Sequence, residues 1–375
     1  MNEKLLKWII YVAGAACLYG FISIRSLPVM NAILAEKMIP EHWDFVKYGE
    51  LYYFNYISHF KEKLPKAERK YRFSEKHPEM NQADILMFGD SFLDISRQTT
   101  LPERLNDSTN KRVYYHRFLS PHQSNPLCIL EEEEYKNMMP KYIIYESVER
   151  NIPLRFDDPF IAEDCENEES DLFSETADAV INLTFPENSE EMYKQVLKRS
   201  VVTTKLFELF ATLKFDLFGY ISSQTPIYKL GEDPWLFYYP QVNDQPGSFY
   251  YDYSEEEVTT YCNNIALLKK RLRELYNLEM IFMPIPSKYT IYHKVVNDDL
   301  YNNFLPRVYA GLDDRDVPYI DLYSEFINHD RVLYYGTDTH WNKRGVDIAL
   351  YKLINKLDSF NGRHNISFAS EVMHE

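Results

Sequence analysis

The sequence predicts an α/β domain with a mainly parallel sheet, and two observations carry that expectation. Apolar runs of strand length occur at Ile85–Phe88, Val113–Phe118, Tyr142–Tyr145, Met280–Ile285 and, shorter, Tyr319–Tyr323. Helical patterns lie between them, at Ser91–Leu105, Leu127–Met138, Ser254–Tyr276 and Asp299–Leu312. Such alternation builds βαβ units, whose parallel strands are covered on both faces and therefore read as continuous apolar runs. The expectation is a five-stranded sheet, with a last helix over Asn342–Leu357 closing the domain.

Composition narrows the function. The 375 residues carry 41 Lys+Arg against 57 Asp+Glu, a net charge of −16, with 45% hydrophobic and 26% charged residues. That is a globular composition, and the length suits one large domain with an insertion or two smaller ones. An acidic balance with no concentrated basic face argues against a nucleic-acid partner. Gly is scarce at 11, and neither G-x-G-x-x-G nor a P-loop occurs, so no nucleotide cofactor is expected.

Leu5 to Ile24 reads LLKWIIYVAGAACLYGFISI, about the length of a bilayer span, with Lys7 close enough to its end to snorkel. Signal-peptide apolar stretches are shorter and end at a small-x-small site, which does not follow here. Lys4 just before the run and Lys7 at its start favour a cytoplasmic N-terminus and an exported body, so a signal anchor is expected, with the remainder periplasmic or extracellular. Cys17 after Gly14-Ala15-Ala16 faintly resembles a lipoprotein box, but apolar residues continue beyond it. Cys128, Cys165 and Cys262 are widely spaced and odd in number, so burial as small apolar side chains is the expectation for them.

Beyond the anchor, Pro40–Lys63 places Trp43, Val46, Tyr53, Phe54, Ile57 and Phe60 at helical spacing, a stripe that Gly49 and Glu50 interrupt. A polar connector over 65–82 follows. The segment 153–253 breaks the α/β alternation and reads as an insertion. It holds an acidic stretch without Lys or Arg from Phe156 to Tyr193, a helix near Glu190–Phe215, and an aromatic loop with Trp235, Phe237, Tyr238, Tyr239, Phe249, Tyr250 and Tyr251. That loop is either a lid or sugar-binding edge, or an insertion folded over its own apolar cluster. The expected organisation is a cytoplasmic tip (1–4), the anchor (5–25), a juxtamembrane helix and connector (26–78), a catalytic domain (79–360) with its insertion (153–253), and a tail (361–375).

Two motifs carry the chemistry. Gly89-Asp90-Ser91 ends the first strand, where open parallel sheets present ligand-binding residues and where a following helix would offer N–H groups to an oxyanion. Asp338-Thr339-His340-Trp341 precedes the last helix. Together they supply a nucleophile, a base and a carboxylate that holds the imidazole in its working tautomer. Either motif alone is explained as ordinarily by capping and packing; both at opposite ends of one α/β pattern are not. The ten His contain no H-E-x-x-H or other tight ligand cluster outside Asp338-Thr339-His340, so no metal is expected.

These residues resemble the SGNH hydrolase superfamily, and within it the membrane-anchored or periplasmic relatives of the alginate O-acetylation proteins, which share D-x-H-W. Tyr142–Pro153 (YIIYESVERNIP) is similar to that group's strand ending in a Glu-Arg pair, and Pro284–Tyr292 (PIPSKYTIY) to its Pro-x-Lys-Tyr segment. The resemblance implies a three-layer α/β/α, flavodoxin-like domain in which Ser91 is the nucleophile, His340 the general acid and base, and Asp338 its orienting partner. It further marks Asp90, Glu146, Arg150, Asn151, Lys288, Tyr289 and Trp341 as oxyanion or substrate candidates. Two blocks depart from the superfamily. The oxyanion Gly after the second strand has no counterpart in Val113–Arg117, and Glu149-Arg150-Asn151 replaces G-x-N-D, so Arg150 or Asn151 is the substitute donor. Glu146 and Arg150 are as readily a structural ion pair, and Lys288-Tyr289 a Pro-flanked helix start. In the alginate proteins D-x-H precedes the Ser, whereas here it follows.

The resemblance implies an extracytoplasmic O-acyltransferase, most simply of acetyl, acting on a polysaccharide acceptor, with an acyl donor and a multipass membrane acyltransferase as possible partners. An acetylesterase would use the same triad with water as acceptor, and an idle binding or scaffold protein would keep it unused.

Overall fold

Ile85–Gly89 (β1) is buried at every position, which is what a strand covered on both faces requires. The computed structural model describes residues 47–65, 83–93, 100–109, 111–118, 125–136, 138, 140–160, 201–230, 233–296 and 300–360, together with Trp8, Tyr11, Val12, Gly14 and Ala15. The described elements begin with helix α1 (Glu50–Asn55), then β1, α2 (Leu101–Thr109), β2 (Val113–Arg117), α3 (Pro126–Glu131), α4 (Glu133–Lys136) and β3 (Tyr142–Val148). A 3-10 turn (Glu149–Asn151) leads to α5 (Ile152–Phe156), after which come α6 (Val201–Phe218) and a hairpin of β4 (Ile227–Leu230) and β5 (Asp233–Leu236). The chain closes with α7 (Glu255–Tyr276), β6 (Glu279–Ile285), α8 (Lys288–Tyr292), α9 (Phe304–Asp313), α10 (Tyr323–Ile327) and α11 (Lys343–Phe360).

The main sheet has the order β2-β1-β3-β6, and every pairing is parallel. The chain steps from β1 to β2 on one side and then to β3 on the other, so the topological switch lies between the carboxyl ends of β1 and β3, where Ser91 and Arg150 follow. The core side chains are large and fully buried, among them Phe88, Phe92, Tyr142, Tyr145 and Phe282. Each contributes roughly 1.5–3 kcal/mol of apolar burial. The architecture is thus α/β with a mainly parallel sheet, as expected.

The fifth strand is reduced to a single parallel bridge between Phe282 and Tyr319, and α10 starts at Tyr323, where a strand residue was expected. The expected helix from Ser91 begins instead as a turn over 91–93, and α2 starts only at Leu101. Leu127–Met138 divides into α3 and α4 at Glu132, whose N–H returns to the Ile129 carbonyl. By contrast α7 starts where its sequence says it should: Ser254 accepts from the Glu257 N–H, and the Glu257 side chain accepts from the Ser254 N–H, a complete capping box.

The expected juxtamembrane helix is broken twice. Gly49 has φ +93, and a Cβ there would stand 2.2 Å from the Thr337 carbonyl oxygen; Tyr56 has φ 56. Between them α1 is short and buries Leu51 and Tyr52 completely, leaving Tyr53 and Phe54 half-buried. The interruption of the stripe therefore marks a close backbone approach that only Gly permits.

The chain divides into two compact units. One comprises Met1–Asp44, Tyr56–Ser58 and Glu166–Tyr220; the other comprises Phe45–Asn55, His59–Cys165 and Ile221–Glu375 and holds the main sheet. In the first unit α6 exposes Leu206, Leu209, Phe210, Leu213 and Leu217 along one side. Apart from the five N-terminal positions named above, the expected span Leu5–Ile24 lies outside the described residues, as do the acidic stretch over 161–193 and the tail over 361–375. Among the described residues no helix is long and apolar enough to cross a membrane. Cys262 is free and buried, which pushes its thiol up to about 11. Cys128, expected to be a buried thiol, is instead disulfide-bonded.

Candidate active site

The tight packing at the end of β1 explains Gly89. A Cβ there would stand 2.3 Å from Glu146 Oε2 and 2.7 Å from Leu93 Cδ1, so no larger residue fits. Asp90 then organises the turn. Its Oδ1 accepts from the Phe92 N–H at 3.1 Å, while its Oδ2 accepts from Asn151 Nδ2 at 3.1 Å and from the Arg155 guanidinium at 3.3 Å. Its own N–H donates to Glu146 Oε2 at 2.7 Å, and its carbonyl accepts from the Tyr115 hydroxyl at 2.8 Å. Every polar atom of Asp90 is engaged, so it shapes the turn that presents Ser91 and does not face substrate.

Two buried carboxyls meet here with opposite fates. Burial pushes the Asp90 carboxyl up, but the Arg155 and then the Arg150 guanidinium more than offset this and hold it below the usual range. Burial, and then the charge of Asp90, push Glu146 well above its ordinary value against the pull of Arg155. Burial and charge thus favour the neutral form of Glu146 and the ionised form of Asp90 beside it. Arg155, which no motif singled out, also donates to the Glu146 carbonyl at 3.0 Å.

The second motif forms a tight loop closed by a bridge between Tyr334 and Trp341. The Tyr335 N–H donates to the His340 carbonyl at 3.2 Å, and the Asn342 N–H to the Leu333 carbonyl at 2.7 Å. Within the loop, Asp338 Oδ1 accepts from the His340 backbone N–H at 3.0 Å and lies 2.5 Å from His340 Nδ1. His340 Nε2 lies 2.8 Å from Ser91 Oγ. Ser91, His340 and Asp338 thus stand in hydrogen-bonded series, with Asp338 fully buried, His340 buried and Ser91 half-buried. Nδ1–H to the carboxylate leaves Nε2 as the acceptor for the Ser91 proton.

Trp341 was a substrate candidate, but it is fully buried. Its Nε1–H donates to the Phe92 carbonyl at 3.2 Å, and its ring meets Phe92 edge-on at 5.6 Å. Phe92 in turn lies 4.7 Å from the His340 ring. Trp341 therefore ties the histidine loop to the serine turn and sets the reach between Ser91 Oγ and His340 Nε2.

Lys288 and Tyr289 are likewise enclosed and not placed against substrate. Lys288 Nζ donates to the carbonyls of Leu236 at 2.7 Å, Gly336 at 2.9 Å and Asp338 at 3.2 Å, and lies over the Trp235 and Phe237 rings. Three donors meeting three carbonyls make it the post that holds the Asp338 loop to β5. Tyr289 is packed among Phe237 and Phe249, and its hydroxyl lies 2.9 Å from that of Tyr250.

The block Glu149-Arg150-Asn151 splits by role. Glu149 accepts from the Ser287 N–H at 2.7 Å and from the Tyr301 hydroxyl at 2.9 Å, seating the start of α8. Asn151 is anchored on Asp90, which leaves one amide hydrogen unused by that bond. Among the described residues Arg150 forms no ion pair with Glu146, contrary to the structural-pair reading; its guanidinium lies over the Tyr238 ring at 5.7 Å, and its Nη1 is buried with no hydrogen-bond partner. The aromatic loop mostly fills its own cluster, since Trp235, Phe237, Phe249 and Tyr253 are buried, but Gly247 presses on the Arg150 backbone and Tyr238 lies beneath its side chain.

The structure adds Glu50 from α1. The Glu50 N–H donates to Asp338 Oδ2 at 2.9 Å, the Leu51 N–H donates to the Thr337 carbonyl at 3.1 Å, and the Thr339 hydroxyl donates to Glu50 Oε1. Glu50, Asp338 and His340 bring potential ligand atoms within 4.8 Å of one another. Both imidazole nitrogens are already engaged, Nδ1 by Asp338 and Nε2 by Ser91, so the set reads as a proton-transfer chain and not as a metal cage.

Among solved structures, LAE5, an α/β hydrolase enzyme from the metagenome of Lake Arreo, Spain, is 12% identical, covers 76% of this chain and 100% of its own, and has a TM-score of 0.35. No curated protein matches the chain. Residues 229–366 match a family model described as SGNH hydrolase-like domain, acetyltransferase AlgX, a segment that holds Lys288, Asp338, His340 and Trp341. The SGNH, AlgX-type resemblance read from the motifs is supported by that match over residues 229–366, a segment that leaves Ser91 outside it.

Proposed function

We propose that this chain is an extracytoplasmic O-acyltransferase, acetyl being the group carried, that acts on a cell-surface or secreted polysaccharide through an acyl-Ser91 intermediate. The observation that carries the reading is the series Ser91 Oγ, His340 Nε2, His340 Nδ1 and Asp338 Oδ1, with contacts of 2.8 and 2.5 Å at its two ends. In the first half-reaction the Ser91 proton passes to His340 Nε2 as Oγ bonds to the acyl carbon, and the donor's leaving oxygen departs with that proton. In the second a sugar hydroxyl gives its proton to Nε2, bonds to the acyl carbon, and Ser91 leaves with the proton restored. Asp338 stabilises the imidazolium in each step.

The negative oxygen of each tetrahedral intermediate needs donors. The Ser91 backbone N–H, on the turn after β1, is the first donor, and the half-buried Arg150 guanidinium on the neighbouring turn, whose Nη1 has no hydrogen-bond partner, is the second. Arg150→Met is expected to lower kcat for acylation about 100-fold with little change in KM, as removal of an oxyanion donor does. Steady-state rates with 4-nitrophenyl acetate check this.

The location is supported by the apolar run Leu5–Ile24 and by the disulfide at Cys128, since such bonds persist in oxidising compartments. An anchored domain of this kind would receive its acyl group from a multipass membrane acyltransferase. An acetylesterase is the second reading, favoured by the half-exposure of Ser91, which lets water reach the acyl group.

The decisive experiment incubates the full chain with 4-nitrophenyl acetate, with and without oligosaccharides, and follows intact mass. Wild type should gain one acetyl that Ser91→Ala lacks, with turnover falling at least about 1,000-fold in the variant. Acetylated sugar then marks a transferase, and acetate alone an esterase. No Ser91-dependent signal would leave the idle scaffold.

A further inference from the structure

We propose that Glu50 is a positioning residue of the same chemistry: its carboxylate is a second anion beside His340 that favours the imidazolium and latches the Asp338 loop. The inference rests on the acyl-serine reading. Glu50 Oε1 lies 3.9 Å from His340 Nδ1, the nitrogen that keeps its proton throughout the reaction. It also accepts from the Thr339 hydroxyl, and the Glu50 N–H donates to Asp338 Oδ2, so one residue reaches the loop at two points. Side chain and backbone have separable roles. The backbone contact holds the Asp338 carboxylate, whatever residue stands at position 50. The carboxylate adds charge next to a ring that becomes cationic in the transition state, in surroundings where the Glu50 side chain is only 17% exposed.

The local fold is built to bring this about. Gly49 adopts φ +93 so that its backbone can lie against Thr337, and α1 begins at the next residue. The charged groups around the imidazole are Asp338 on its own loop, Glu50 on α1 and Asp90 on the turn after β1, with the Lys288 ammonium behind the loop on the Asp338 carbonyl. Glu50 differs from Asp338 in contacting the ring nitrogen without sharing its main hydrogen bond. Its contribution is therefore electrostatic more than geometric.

The test labels the full chain with an alkyl fluorophosphonate between pH 5 and 9 and follows intact mass. The Ser91 oxygen forms the P–O bond, fluoride leaves, and the serine proton passes to His340, so no acyl donor or sugar is needed. Wild type should label and Ser91→Ala should not, a control that tests the acyl-serine reading by itself. Glu50→Gln keeps an acceptor for Thr339 and the N–H for Asp338 but loses the charge. Its plateau labelling is expected to be about 3- to 10-fold slower, with the acid limb of the rate profile about half to one pH unit lower, because the base is more weakly supported. Glu50→Asp, which retains the charge, should restore much of the rate and return the limb toward wild type. Wild-type labelling by Glu50→Gln, or slower labelling with an unmoved acid limb, overturns the proposal and leaves the serine chemistry standing. Absence of labelling in wild type overturns both.

Discussion

Asp338→Asn is expected to lower kcat about 1,000- to 10,000-fold while KM stays within a few-fold. The reason is a count of donors. Asp338 Oδ1 accepts from the His340 backbone N–H and faces Nδ1, and Oδ2 accepts from the Glu50 N–H, with the residue wholly buried. An amide must turn its NH2 group toward one side or the other. On the Oδ1 side it meets a backbone donor and demands the tautomer in which Nδ1 is unprotonated, which leaves Nε2 unable to take the serine proton. On the Oδ2 side it meets the Glu50 N–H. Either orientation sets donor against donor, so a stability loss of about 1–3 kcal/mol should accompany the loss of rate. Steady-state kinetics and a urea titration of the same variant measure the two effects separately.

Lys288→Met is expected to destabilise the protein by about 3 kcal/mol or more. Three buried carbonyls, of Leu236, Gly336 and Asp338, lose their partner together, and each stranded acceptor carries a desolvation penalty of order 1 kcal/mol or above. The cost also has a pH signature. Burial pushes the Lys288 ammonium down to about 7 against the attraction of Asp338, Glu62 and Glu50. Its unfolded value is near 10.5, so between about pH 7 and 10.5 the folded state binds fewer protons than the unfolded state. This group therefore makes stability rise with pH through that window and adds no slope below it. The stability gap between wild type and Lys288→Met should be wider at pH 9 than at pH 6.5, as read from denaturant midpoints at the two pH values. Activity should fall as well, because the post that Met removes holds the carbonyl of Asp338 itself.

These two residues show which features of the site were open to sequence reading. Asp338 was legible because its chemistry is local: two residues from His340, its carboxylate reaches both the ring nitrogen and the backbone N–H of that residue. Lys288 was noticed for the resemblance of its segment, but its partners come from β5 and from the loop before His340, about 50 residues away in either direction. A lysine that binds carbonyls leaves no pattern in its neighbours. Trp341 is similar: D-x-H-W spacing flagged it, but its bond to the Phe92 carbonyl spans 249 residues.

Glu50 was visible only as a flaw in an amphipathic stripe. Gly49 and Glu50 interrupt the apolar spacing of Pro40–Lys63, and the interruption has a cause in Thr337 and Asp338 that periodicity does not encode. Arg155 carried no signal, since a lone Arg within a short helix is ordinary until Asp90 and Glu146 are placed beside it.

The sequence by itself determined the α/β class, the end of β1 as the place of Ser91, and the three residues that the structure joins in hydrogen-bonded series, Ser91, His340 and Asp338. Those follow from strand-length apolar runs, from turn residues at their ends and from side chains whose acid–base properties are intrinsic. Only the tertiary structure decided which polar residues stand beside Ser91 and His340 and which are enclosed behind them. Asp90, Trp341 and Lys288 became supports, Arg150 kept an unused donor, and Glu50 entered the site, because burial and long-range hydrogen bonding are properties of which surfaces meet, and those pairings are made across the whole chain.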